Sequence, residues 1–167
     1  MGAEDAVPIK TSKIVVRDWI LLKCRFSCGT YGRRSTCPPY SPTPEETRRV
    51  LKEYETALLV KFGPSIEAGC SDGVNIHKVI FELERLILLS GYYAASGMAC
   101  GPCPLCAECN MREGPCLKPH VPRPSMEACS IDIFAVAYNA DLELKVLKSQ
   151  EELPHCFGLV LINLELP

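Results

Sequence analysis

The chain has 167 residues, of which 47% are hydrophobic and 23% charged, so it is long enough to bury a core without covalent cross-links. Its formal net charge of −2 and an aromatic content of 7% argue against nucleic acid as a partner. Because the sequence has an acidic start and lacks a long apolar run, we expect neither a signal peptide nor a membrane span, and hence a cytoplasmic protein with no membrane association. In such a reducing compartment, dense cysteines more often bind metal than form disulfides.

The first half of the chain is predicted to begin with strands and to continue into a helix. Residues 13–26 are rich in β-branched and large apolar side chains, a pattern that predicts one or two strands. Thr43 and Pro44 precede two glutamates, which is typical of a helix start and predicts a helix over 44–55. The short apolar run at 56–62 then predicts a buried strand.

The second half contains the longest predicted helix, because apolar residues recur every three or four positions over 74–93. Residues 100–123 are rich in proline and cysteine and lack periodicity, which predicts a loop. A further helix is predicted over 125–139, with its first serine as the cap. Residues 142–147 and 157–164 are predicted to form two closing strands.

These elements predict a single metal-binding domain over residues 1–167 with an α+β or α/β fold. We expect a mixed sheet of about five strands with parallel pairs, three helices and two long cysteine-rich loops.

Four cysteines, here called the second cysteine group, follow the spacing C-x2-C-x2-C-x6-C: Cys103, Cys106, Cys109 and Cys116. Three thiolates two residues apart can surround one 4Fe-4S cluster, with the fourth ligand arriving from further along the chain. Structural zinc sites generally use two C-x2–4-C pairs separated by a longer spacer. The spacing therefore favours a 4Fe-4S cluster, with zinc as the alternative.

Three further cysteines form the first cysteine group: Cys24, Cys28 and Cys37. Gly29 and Gly32 lie between them and can adopt positive φ, which would turn backbone N–H groups toward the sulfurs. This pattern indicates a second metal site, but it does not specify a fourth ligand. The candidates are Cys70, Cys100 and Cys156, with Cys129, His77, His120 and His155 as weaker ones.

The first cysteine group could also hold a cluster through three thiolates alone, leaving one iron open to a substrate. The polar side chains near it in the sequence are Tyr31, Arg33, His120 and Glu127. Each also has an ordinary structural role, such as a first-turn helix acid for Glu127.

Four segments of the chain, spread from residue 24 to residue 163, carry a resemblance to a known family. They are CRFSCGTYGRRSTCPPYSPTPEETRRVLKEYETALLV, ELERLILLSGYYAASGMACGPCPLCAEC, PCLKPHVPRPSMEACSIDIF and GLVLIN. They resemble a cysteine-rich family of unknown function, described as predicted metal-binding proteins and common in archaea and anaerobic bacteria. The resemblance implies metal on both cysteine groups and supplies no catalytic residue.

Three functions agree with these patterns. The favoured one is an electron-transfer protein that holds one or two 4Fe-4S clusters and acts with a redox partner protein. Basic residues expected near the clusters would raise their potential: Arg33, Arg34, Lys118 and Arg123. The alternatives are an enzyme that uses an open iron for sulfur transfer or small-substrate activation, and a structural zinc-binding protein. The sequence assigns neither a substrate nor an oligomeric state.

Overall fold

The computed structural model describes residues 2–64, 70–71, 74–149, 151–152 and 154–162. Its strands are β1 (Ala3–Lys10), β2 (Thr56–Pro64), β3 (Cys70–Ser71), β4 (Val74–Asn75), β5 (Ser96–Met98) and β6 (His155–Leu161). Its α-helices are α1 (Asp18–Ser27), α2 (Pro44–Leu51), α3 (Ile76–Leu89) and α4 (Ile133–Asn139). Within these described ranges, no helix has the length and apolar character needed to cross a membrane.

Strands β1, β2, β6 and β5 form one sheet in that order, and each neighbouring pair is antiparallel. Strands β3 and β4 pair separately as a short antiparallel ribbon. The α+β class is therefore confirmed, whereas the mixed sheet of about five strands with three helices is wrong. Both α1 and α2 lie between β1 and β2, and this connection returns the chain in the opposite direction instead of making a parallel crossover.

The central strands β2 and β6 are buried on both faces. On β2, Leu59 belongs to a core cluster with Met126 and Ile131, whereas the adjacent Val60 belongs to a second cluster with Ile80 of α3. This alternation follows the two-residue period of a strand. Helix α3 and the segment that leads into α4 thus cover opposite faces of the sheet.

Residues 13–26 were predicted to be strands, and this prediction is wrong for most of the segment. Only Val16 makes a strand-like bridge, to Ile131, and α1 begins two residues later. Asp18 lies in the first turn of α1, where the helix dipole favours an acid. The Lys23 ammonium lies 5.0 Å from the centroid of the Trp19 ring, one helical turn away. Among the residues of α1 only Ile20 is buried, whereas Trp19, Leu22 and Phe26 are exposed.

The other predicted elements differ from the observed ones mainly in the residues at which they begin and end. Helix α2 starts at Pro44 as expected, and Thr43 and Glu46 form a capping box there. The helix predicted over 125–139 is shorter, because Ser130 adopts a φ of 60° and α4 starts only after Asp132, whose side chain accepts from the Ala135 N–H. No β-structure is found at 142–147, within the described part of the chain, and 163–164 lie outside it.

A short neck closes the cysteine-rich loop that follows β5. The Ala99 N–H donates to the Pro124 carbonyl at 2.8 Å, and the Met126 N–H donates to the Ala99 carbonyl at 3.0 Å. These bonds form a parallel bridge between Ala99 and Ser125. The loop over 100–124 therefore leaves and re-enters the core at a single point.

Candidate metal centres

The segment from 125 to 132 lies between the neck and the start of α1. At its far end, the Arg17 N–H donates to the Ser130 carbonyl at 2.9 Å and the Asp132 N–H donates to the Val15 carbonyl at 2.8 Å. Because α1 begins at Asp18, these bonds fix the helix that carries Cys24 relative to the neck. Backbone hydrogen bonds thus place residues far apart in sequence around one cavity.

The first cysteine group lines this cavity, which has a volume of about 220 Å³. Cys24 and Cys28 are four residues apart, at the end of α1 and its C-cap, so they lie on the same side of the helix. Cys37 comes from the following loop, which the Gly32 N–H closes by donating to the Pro38 carbonyl at 2.8 Å. Gly32 has the expected positive φ of 65°, but its N–H donates to a carbonyl of the loop and not to a sulfur.

The sulfurs of the first cysteine group make few polar contacts. Cys28 Sγ lies 3.0 Å from the Thr30 hydroxyl, and Cys37 Sγ lies 3.7 Å from the same hydroxyl. Cys24 Sγ lies 4.0 Å from the Glu127 carbonyl, a weak contact. Thr30 therefore connects two of the three sulfurs from one side of the cavity.

Burial favours the protonated thiols of Cys24 and Cys37 in the absence of a cation. It raises the pKa of Cys24 to about 11, and the nearby Cys28, Glu127 and Cys37 raise it further by charge repulsion. Burial also raises the pKa of Cys37. Binding a metal here would therefore release protons.

Glu127 contributes its carboxyl group to the wall of the same cavity. Burial raises the pKa of this carboxyl, although the Ser125 hydroxyl and the Gly101 backbone partly oppose the shift. Its Oε2 atom is buried and has no hydrogen-bond partner among the described residues. The sequence named Glu127 as a polar candidate near the first cysteine group, with a first-turn helix acid as its ordinary role. The turn over 126–130 places its carboxyl group in the wall of the cavity.

The four members of the second cysteine group line another cavity together with Arg34, Ser35 and Lys118, but its volume is only about 10 Å³. The Lys118 N–H donates to Cys116 Sγ at 3.4 Å, and the Lys118 ammonium donates to the Leu105 carbonyl at 3.0 Å. The loop is thus closed on itself, with its thiols facing inward.

The thiols of the second cysteine group have unequal acidities. Burial raises the pKa of Cys103, and its neighbour Cys116 adds to the shift. At Cys109, burial also acts to raise the pKa, but hydrogen bonds from Ser35 and Met111 and the charge of Arg34 together outweigh it, so the pKa is lowered. Cys109 is therefore more readily ionised than Cys103.

Arg34 joins the two cysteine groups. Its guanidinium donates to the Cys106 carbonyl at 2.8 Å and to the Ala107 carbonyl at 3.2 Å. Its charge also opposes the rise in the pKa of Cys37 and Cys103 and contributes to the lowered pKa of Cys109. The charge of Arg34 therefore acts on thiols of both candidate centres.

The candidates for a fourth ligand to the first cysteine group lie apart from its cavity wherever the structure describes them. Cys100 and Cys156 hydrogen-bond to each other within the core cluster beneath α3. Cys129 is buried in the opposite cluster. The side chain of Cys70 lies outside the described residues.

The histidines are also placed away from the sulfurs. His77 is fully buried at the start of α3, beside the backbone of Cys100 and Gly101, and burial lowers its pKa to about 4. His155 lies 3.8 Å from a carboxylate oxygen of Glu4 at the edge of the sheet, and His120 is exposed. None of the three lines the cavity of the first cysteine group.

An apolar cavity of about 360 Å³ adjoins the first cysteine group and shares Cys24, Cys28 and Glu127 with it. Its other walls include Trp19 and Phe134, which are 44% and 47% exposed. Sequence reasoning did not identify this cavity, because its walls come from α1 and the start of α4, which are more than 100 positions apart.

The donor chemistry of both groups suits soft metal ions. Thiolates favour iron–sulfur clusters and zinc over magnesium or calcium. Within the described ranges, however, no three cysteine, histidine or carboxylate side chains converge as a single bound ion would require. The thiols of the first cysteine group instead surround a cavity with room for an occupant larger than one ion.

Neither a curated protein nor a solved structure matches the chain. The model of the DUF2284 family, described as predicted metal-binding protein, matches residues 7–162. Because this match extends over almost the whole sequence and includes all seven cysteines of the two groups, the chain belongs to the DUF2284 family of predicted metal-binding proteins.

Proposed function

We propose that this protein is an iron–sulfur protein that holds a 4Fe-4S cluster at each cysteine group and exchanges electrons with a redox partner protein in the cytoplasm. The observation that carries the proposal is the contact through Arg34, which brings the two sets of thiols together. Two adjacent clusters would allow an electron to pass from one to the other. Such a pathway would explain why one domain devotes seven cysteines to two centres.

The electrostatics around Arg34 support this redox role. A cationic neighbour favours the additional negative charge of a reduced cluster and so raises its potential. Arg33 and Arg34 also line an open groove between the two loops, together with Cys109. A redox partner with an acidic surface would fit against this groove, close to both centres.

Arg123 contributes less to this surface than its sequence position implies. Its guanidinium donates to Glu84 of α3 at 2.7 and 2.5 Å, so its charge is neutralised. Its role is to fasten the end of the cysteine-rich loop to the helix.

The proposal is tested by quantifying iron, zinc and acid-labile sulfide per chain after strictly anaerobic purification. We expect iron and sulfide in equal amounts, near eight of each for two clusters, and a reducible spectrum. Cys24→Ser and Cys106→Ser should each remove about half of the iron. A colourless protein without sulfide would contradict the proposal.

An enzyme with an open iron at the first cysteine group is a second candidate, favoured by the apolar cavity beside Cys24 and Cys28. A small apolar substrate bound there would reach the cluster without crossing the loop. A change in the cluster spectrum upon addition of cyanide or a small thiol would support this function over simple electron transfer.

Zinc at the second cysteine group is a third candidate, favoured by the narrowness of the 10 Å³ cavity. A single ion needs less room than a cluster, and four cysteines are a common structural zinc site. One zinc and four irons per chain in the same metal analysis would support this arrangement.

A further inference from the structure

Glu127 has the position and the chemistry of a metal ligand in the first cysteine group. Its carboxyl group lies in the wall of the cavity that Cys24, Cys28 and Cys37 line, and this cavity has only three thiols. We propose that a carboxylate oxygen of Glu127 is the fourth protein ligand of this centre. The inference rests on the proposed function, since it assumes a cluster at this group.

The unpartnered oxygen of Glu127 supports this assignment. Buried carboxylate oxygens are almost always paired, because leaving one without a partner is energetically costly. Oε2 of Glu127 is buried and accepts no hydrogen bond from the described residues. A bound iron would satisfy this oxygen directly.

The backbone around Glu127 holds it in place. The Ala128 N–H donates to the Ser125 hydroxyl at 3.1 Å, and the Ser130 N–H donates to the Glu127 carbonyl at 2.9 Å. In the same turn, the Ala128 carbonyl accepts from the Ser41 hydroxyl at 2.8 Å. These contacts tie Glu127 to the loop that follows Cys37, so the ligand position is built before a metal arrives.

The competing thiols are committed elsewhere or lie outside the described residues. Cys100 and Cys156 hydrogen-bond to each other, and Cys129 is enclosed in the core on the other face of the sheet. Cys70 is the remaining alternative, and the experiment must test it directly. Three thiolates and one carboxylate carry the same total charge as four thiolates, so the exchange of sulfur for oxygen leaves the charge of the centre unchanged.

A ligand set of three sulfurs and one oxygen makes one iron different from the other three. Because carboxylate is a harder donor than thiolate, that iron should have a larger Mössbauer isomer shift. The apolar cavity adjoins Glu127 and Cys24, so the distinctive iron would also be the one nearest to any small molecule bound there.

The test uses the full chain reconstituted anaerobically with ⁵⁷Fe and sulfide, and compares the wild type with Glu127→Cys, Glu127→Ala, Cys70→Ser and the control Glu108→Ala. We expect one distinctive iron in the wild type, its conversion to the common type in Glu127→Cys, and no change in Cys70→Ser or Glu108→Ala. In Glu127→Ala, that iron should bind cyanide, which the wild type should resist. Circular dichroism checks that each variant is folded.

The outcomes separate this inference from the proposed function. A wild type with complete clusters but no distinctive iron would overturn the assignment of Glu127 and leave the iron–sulfur function intact. A distinctive iron that arises only in Cys70→Ser would overturn it in favour of Cys70. A protein that assembles no cluster in any variant would overturn the proposed function itself.

Discussion

The guanidinium of Arg34 donates a 2.8 Å hydrogen bond to the backbone carbonyl of Cys106, a residue 72 positions later in the chain. Arg34 follows the second thiol of the first cysteine group, and Cys106 is the second thiol of the other. The charge of one side chain is therefore placed between two sets of sulfurs. Any cation at this position would influence both centres at once.

Replacing Arg34 by Gln should lower the midpoint potential of the clusters, because a positive charge that favours the reduced state is lost. We expect a decrease of tens of millivolts, given that about 60 mV corresponds to a tenfold change in a one-electron equilibrium. Arg34→Lys keeps the charge and should retain most of the potential. Redox titration followed by electron paramagnetic resonance measures the effect.

Arg33→Gln is the matched control for this change, because Arg33 lines the same groove but is exposed. It should alter the potential much less, since solvent screens its charge. Equal decreases in the two variants would show that the contact with Cys106 has no special role.

Cys24 in the metal-free protein should react more slowly with iodoacetamide than Cys109 at pH 8. The pKa of Cys24 is raised from 9.0 to about 11, so its thiolate is about 100-fold scarcer. The greater nucleophilicity of a more basic thiolate recovers roughly tenfold, which leaves Cys24 about tenfold slower than an ordinary thiol. The pKa of Cys109 is lowered, so this thiol should be modified early.

Peptide mapping by mass spectrometry over a time course gives the two rates. In guanidinium chloride the difference should vanish, because burial and the charge of Arg34 no longer act. Equal rates in the folded metal-free protein would contradict the predicted protonation states.

His77 should make the metal-free protein less stable as the pH falls from 7.5 to 5. Its pKa is lowered from 6.5 to about 4 by burial, so the unfolded chain binds a proton in this range that the folded chain does not. The free energy of unfolding should therefore decrease by on the order of 2 kcal/mol between these two pH values. This loss begins as the pH falls through the unfolded pKa and is complete below the folded one.

Urea unfolding of the metal-free protein at pH 7.5 and 5 measures this loss. His77→Leu removes the titrating group and should flatten the pH dependence, whereas His120→Gln, at an exposed position, should not. An unchanged pH dependence in His77→Leu would assign the loss to other groups.

Arg123→Ala should destabilise the protein by about 2 kcal/mol, because it leaves the half-buried Glu84 without its cation. The side chains of this pair are only 20% and 15% exposed, and Glu84 also accepts from the Gly97 N–H of β5. Arg85→Ala, next to Glu84, breaks an exposed pair with Glu82 and should change the stability by less than about 1 kcal/mol. Thermal unfolding of both variants checks the contrast, and equal destabilisation would contradict it.

The sequence was most informative where local chemistry determines structure. The start signal of Thr43, Pro44 and the two glutamates after them, and the regular apolar spacing of α3, identified two helices, although their ends were off by up to four residues. The run at 56–62 gave the central strand β2, because a buried strand has no polar face to obscure it. The α+β class followed from these three elements.

The start of α1, the direction of the strands and the position of Glu127 could not be predicted, because they depend on contacts between segments that are distant in the sequence. Nothing near Val16 in the sequence reveals its bridge to Ile131, and this bridge determines where α1 begins. The antiparallel direction of the strands depends likewise on the pairing of β2 with β6, two strands that lie far apart in the sequence. The cysteine spacing predicted which thiols could share a metal, but the position of Glu127 required the positive φ of Ser130 and the turn before it.

The bridge between Ala99 and Ser125 allows the sheet to fold before the cysteine-rich loop binds metal. Since the stems of the loop are held by backbone bonds and by the pair of Arg123 with Glu84, none of which involves a thiol, the sheet can be completed while the thiols of the loop hold no metal and are partly exposed. Under the proposed iron–sulfur function, we therefore expect newly synthesised chains to persist as folded acceptors until iron and sulfide are delivered. Oxidative loss of a cluster would then return the protein to this acceptor form, ready for repair, without exposing its core to proteases.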